Sequence, residues 1–119
     1  MKLSVIIQIL DAEIVCIVKS KLNSNVTMAC GSDLMSDVLA FIKRDALLLT
    51  GLTTIQVVYT AENAGVNVVC FVRGKKPPKE TVDLAKEKKI TLLTTKMSMF
   101  ESCGKLYNNG LIGCSDDEN

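Results

Sequence analysis

Histidine is absent from this 119-residue chain, and three Phe and two Tyr are its only aromatics, 4% of residues. Without imidazole a thiol nucleophile lacks its ordinary base, and a zinc site loses its commonest nitrogen ligand. The cysteines, Cys16, Cys30, Cys70, Cys103 and Cys114, are odd in number and form no C-x-x-C pair, so no disulfide framework, metal site or cofactor is expected. Scarce stacking rings and a formal charge of only +1, from 14 Lys and Arg against 13 Asp and Glu, argue against nucleic acid as a partner. No run is long enough to span a bilayer, so no membrane partner is expected. The apolar start of the chain ends at Asp11 without a small-residue cleavage site, and free thiols without an export signal predict a cytoplasmic protein. Neither G-x-x-x-x-G-K-[ST] nor G-x-G-x-x-G occurs, which disfavours a nucleotide triphosphatase and a Rossmann dehydrogenase.

What is abundant is apolar: 48% of residues, with a mean hydropathy of +0.28. That is rich for one small domain, and the expectation is a homodimer in which a second subunit covers part of the surface.

Leu3, Ile6, Ile7 and Leu10 have the spacing of one helical face. Glu13 to Val18 reads as a strand, and Val26 to Cys30 as a second. Residues 33 to 43 read as a helix whose apolar positions cover more than half its circumference, predicting burial on two sides. Ala46 to Thr50 and Val68 to Val72 are continuous apolar runs, the pattern of strands covered on both faces. Between them a helix over 54 to 64 is expected, with Thr53 and Gln56 as a capping box and Gly65 as its left-handed stop. Pro78 suits the first position of a helix running to about Lys88, and Thr91 to Thr94 is the last strand expected. Met99, Phe100, Cys103, Leu106 and Tyr107 line a final helix. Residues 1–112 then form one domain, and 113–119 an acidic disordered tail in which Cys114 is exposed.

Strands beginning near 26, 46, 68 and 90, with a helix in every gap, predict an α/β fold: a three-layer α/β/α sandwich on a mainly parallel sheet of about five strands. In such a sheet ligands sit beyond the carboxyl ends of the strands. The turns there supply the candidate ligand-binding residues Ser32, Asp33, Asp37, Thr50, Gly51, Arg73, Lys75, Thr94 and Thr95. Hydroxyls, cations and glycine together suit a small anionic or phosphorylated ligand, although hydroxyls and carboxylates in such turns also serve as plain helix caps. Asp33 and Asp37, four apart and read as one helix face, would repel unless a cation, the helix dipole or solvent compensates. Nothing in the pattern forms a catalytic constellation.

Gly31-Ser32-Asp33-Leu34-Met35-Ser36-Asp37-Val38-Leu39-Ala40-Phe41, Leu47-Leu48-Leu49-Thr50-Gly51-Leu52 and Val72-Arg73-Gly74-Lys75-Lys76-Pro77 together resemble the DRTGG domain family over about residues 1 to 111. The literal string is missing, and Leu52 stands after Thr50-Gly51 where a second glycine is usual. The resemblance implies a small α/β domain similar to the N-terminal domain of HPr kinase. It also implies an accessory regulatory piece, not an enzyme, which in pyrophosphatases carrying CBS domains contributes to subunit association. The leading expectation is a non-catalytic regulatory or interaction module that self-associates and binds a small anion at the sheet's carboxyl edge. The alternatives are a small enzyme acting on a phosphorylated metabolite, with Asp33 or Asp37 as base or metal ligand, and a structural subunit with a protein partner in a metabolic or regulatory complex.

Overall fold

The computed structural model describes residues 1–114. Among these residues five α-helices and six strands, with one 3-10 turn at Lys19–Lys21, follow in the order α1 (Leu3–Leu10), β1 (Glu13–Cys16), β2 (Met28–Gly31), α2 (Met35–Phe41), β3 (Leu47–Thr50), α3 (Ile55–Ala64), β4 (Val68–Phe71), α4 (Lys79–Lys88), β5 (Thr91–Thr94), α5 (Met99–Asn108) and β6 (Ile112–Gly113). They build one sheet of order β1-β5-β4-β3-β2-β6. Every pairing is parallel except β1 against β5.

Topology decides which face each helix covers. Three successive crossovers, β2 to β3 to β4 to β5, step in one direction, and crossovers of one hand stepping one way lay their helices on one face. Val38 of α2, Val57, Val58 and Ala61 of α3 and Ala85 of α4 accordingly share a core with Leu48, Val69, Phe71 and Leu92 of the sheet. The chain then returns from β5 to the far side of β2, and α5 crosses on the opposite face. There Leu106 packs with Leu3, Ile6 and Leu10 of α1 against Leu47, Leu49, Cys70 and Leu93. The two apolar sets alternate along β3 and β4, as a period of two requires. β3, β4 and β5 are buried at every position, which is why the stretches around β3 and β4 read as continuous apolar runs. The α/β sandwich on a mainly parallel sheet is therefore the architecture observed.

Several local expectations need correction. α2 is shorter than residues 33 to 43 and is buried on one side only: Met35 and Val38 face the core, while Leu34, Leu39 and Phe41 are exposed. The cap of α3 is Thr54, without a side-chain hydrogen bond, so Thr53 and Gln56 form no capping box. Thr53 instead offers its carbonyl to the Thr81 hydroxyl at 2.9 Å, tying α4 to the loop before α3. Gly65 does stop α3, at φ 73°. Pro78 caps α4 one residue outside the helix. The side-chain cap is Ser98, whose Oγ accepts from the Glu101 amide at 3.2 Å, an S-x-x-E pattern at the start of α5.

Phe100 and Tyr107 lie on the outer side of α5 and are exposed. Beyond it β6 adds an unexpected sixth strand, and the parallel register that sets Met28 beside Ile112 and Ala29 beside Gly113 carries Cys114 into contact with Met28 and Ala46. Cys114 is thus buried, not exposed. The remaining tail, 115–119, lies outside the described residues.

Candidate functional site

The same topology creates a crevice. β4 leads to a helix on one face of the sheet and its neighbour β5 to a helix on the other, so the chain parts in opposite directions at their carboxyl ends. Such a switch point is where open α/β sheets leave room for a ligand.

The loop on the β4 side is held firmly. Arg73 and Gly74 both adopt left-handed backbone, at φ 61° and 68°. For arginine this conformation costs about 1 kcal/mol, which persists only where surrounding bonds enforce it. Here the Arg73 amide donates to the Met97 carbonyl at 2.8 Å and the Gly74 amide to the Thr95 carbonyl at 2.7 Å. The Thr94 hydroxyl donates to the Lys75 carbonyl at 2.7 Å. The two loops flanking the switch point thus form one rigid unit.

On one side of that unit lies an open cleft of about 630 Å³, lined by Asp33, Gly51, Val72, Arg73, Lys75, Ser98, Met99 and Phe100. Four of the sequence-selected residues, Asp33, Gly51, Arg73 and Lys75, therefore meet there. Asp33 lies before α2, not on its face, because the chain is still extended at Leu34. Its Oδ1 accepts from the Gly51 amide at 2.6 Å and from the Thr50 hydroxyl at 3.0 Å. Thr50 is buried beneath this contact, and its Oγ1 also accepts from the Leu52 amide. Among the described residues, neither Arg73 nor Lys75 forms a salt bridge, and Asp33 pairs with no cation. The cleft therefore presents two unneutralised cations and one carboxylate.

On the other side a smaller cleft of about 210 Å³ is lined by Asp11, Ala12, Glu13, Gly74, Lys76, Thr94, Thr95 and Lys96. Thr94 and Thr95 belong here, and both hydroxyls are engaged, Thr95 Oγ1 donating to the Leu10 carbonyl at 2.6 Å. Lys76 is 3.8 Å from Glu13 across its mouth. Ser32 and Asp37 line neither cleft. Ser32 Oγ accepts from the Leu34 amide at 3.1 Å, stabilising the turn into α2, and Asp37 sits exposed in the first turn of that helix.

Val72, Ser98, Met99 and Phe100 are the lining residues that sequence reasoning passed over. The S-x-x-E pattern at Ser98 marks where α5 starts and so which side chains reach the cleft. Among the described residues no three Cys, Asp or Glu gather as metal ligands would. Burial pushes the Cys70 thiol up to about 12 and raises those of Cys16, Cys30 and Cys103, which keeps them protonated. Protonated, packed thiols are poor nucleophiles.

No curated protein matches the chain. Among solved structures it is similar to the CBS and DRTGG domains of the regulatory region of Clostridium perfringens pyrophosphatase, a crystal structure in complex with the activator diadenosine tetraphosphate. The TM-score is 0.75 at 21% identity, over 88% of this chain and 45% of that one, so the chain spans less than half of its neighbour's length. The DRTGG domain family matches residues 5–108, and with nearly all of its sandwich inside that match the chain belongs to this family.

Proposed function

We propose that the chain is a non-catalytic cytoplasmic regulatory module that self-associates and holds a small phosphorylated anion in the cleft beside the switch point. The observation that carries the reading is the pair Arg73 and Lys75, carried on a loop whose backbone is hydrogen-bonded in place at the cleft wall and left without an acidic partner among the described residues. Arginine on a fixed backbone suits bidentate capture of a phosphate, and lysine adds a point charge. The similar pyrophosphatase region, a regulatory region crystallised with a phosphorylated activator, supports a sensing role over a catalytic one. Asp37 lies outside the cleft that Asp33 lines, which weighs against an acid and base pair.

Self-association is supported by the surface. Of five aromatic residues only Phe71 is buried. Leu39 and Phe41 on α2, Tyr107 on α5 and Ile112 on β6 are all exposed. Exposed aromatic and aliphatic groups of this kind are what a subunit contact buries.

A melting screen against inorganic phosphate, pyrophosphate, acyl phosphates and sugar phosphates, run beside native mass measurement, tests both parts. Binding at 100 times Kd adds about 2.7 kcal/mol of stability. The expected result is a raised Tm with at least one phosphorylated compound, lost in Arg73→Ala, on a dimeric species. No shift with any of them removes the ligand, and a monomer at micromolar concentration removes the self-association.

A further inference from the structure

Resting on the anion-binding reading above, we infer that the cleft takes a nucleoside monophosphate, its phosphate on Arg73 and Lys75 and its base laid on the ring of Phe100. Phe100 is 87% exposed, the most exposed large apolar side chain among the described residues, yet it lines the same cleft as the two cations. The Ser98 cap fixes the start of α5 and so where Phe100 emerges, and every nucleobase has a face to stack on its exposed ring. The cleft's size, about 630 Å³, lies within the range of small-molecule sites.

Charge and donor supply set the number of phosphates. Arg73 and Lys75 against Asp33 leave a net +1 in the cleft. The Gly51 amide, which would otherwise be free to cradle a phosphate chain, already donates to Asp33 Oδ1 at 2.6 Å. Carboxylate therefore occupies the place that further phosphates would need, and a single phosphate satisfies the two cations. Asp33 Oδ2 is left to accept a hydrogen bond from a ribose hydroxyl or a base amine.

Isothermal titration calorimetry on the full chain at low ionic strength, with AMP, GMP, CMP, UMP and ribose 5-phosphate, tests the assignment. At least one nucleotide is expected to bind about tenfold more tightly than ribose 5-phosphate, the stacked base supplying the difference. Phe100→Ala should abolish that advantage, bringing every nucleotide to the affinity of ribose 5-phosphate for the same variant, without changing the mass of the assembly, and Phe100→Tyr should keep it. Ribose 5-phosphate binding with no advantage for any base overturns this inference and leaves the anion site intact. An advantage that survives Phe100→Ala, or a Phe100→Ala chain whose assembly falls apart, also overturns it. If no compound in the series binds, the anion-binding reading fails with it.

Discussion

The Thr50 hydroxyl donates to the Asp33 carboxylate at 3.0 Å, joining the ends of two neighbouring strands at the floor of the cleft. The Gly51 amide donates to the same oxygen, so one carboxylate fixes the geometry of two loops. Asp33→Ala removes both acceptor contacts and should lower stability by about 1 to 2 kcal/mol, while Asp33→Asn, which keeps a carbonyl acceptor, should cost less. Urea unfolding read as a shift in midpoint at constant slope measures the difference.

Thr95 looks like a ligand residue by position, but its hydroxyl is spent on the Leu10 carbonyl at 2.6 Å, linking β5 to the end of α1. Thr95→Val leaves that buried carbonyl without its donor, for an expected loss of about 1 to 3 kcal/mol. Phosphate affinity measured on the surviving folded protein should be unchanged. A variant that kept its stability but lost binding would reverse the assignment.

Gly31 marks the close approach of α5 to β2. A Cβ there would lie 2.9 Å from Cys103 Sγ and 2.9 Å from Met99 Sδ. Gly31→Ala therefore forces α5 side chains to move, costing about 1 to 3 kcal/mol. Because Met99 also lines the cleft, weaker ligand binding should accompany the lower Tm.

Alkaline pH should unfold the protein through its thiols. Burial moves Cys70 from its ordinary 9.0 to about 12, so the folded state keeps a proton that the unfolded chain releases. That stability is complete below about pH 9 and is lost as pH rises from about 9 to about 12. Cys70→Val should flatten the decline over that window relative to the parent chain. In thiol alkylation of the native protein, Cys70 should react last.

Much of the fold was legible because the strands are buried on both faces, so Leu47 to Thr50 and Val68 to Phe71 stand out as unbroken runs bounded by turns. The sixth strand was not, because Ile112–Gly113 has two residues and its pairing with Met28 and Ala29 depends on where α5 delivers the chain. Apolar periodicity misled at α2, where Leu39 and Phe41 completed a second face that nothing within the described residues covers. At the site, the topological rule placed Asp33, Gly51, Arg73 and Lys75 on one rim. It did not reveal Phe100, since an aromatic in an amphipathic helix reads first as core.

The central claim is that an anion enters between Arg73, Lys75 and the start of α5, and amide chemical shifts during titration with ribose 5-phosphate at low salt test it most directly. The account predicts saturable shifts concentrated at Gly51, Arg73, Gly74, Lys75, Met99 and Phe100, absent from Arg73→Gly, a variant that relieves the strained backbone and so stays at least as stable. Shifts centred on Lys76, Thr94 and Lys96 in the smaller cleft, or no shifts at millimolar ligand, would contradict it.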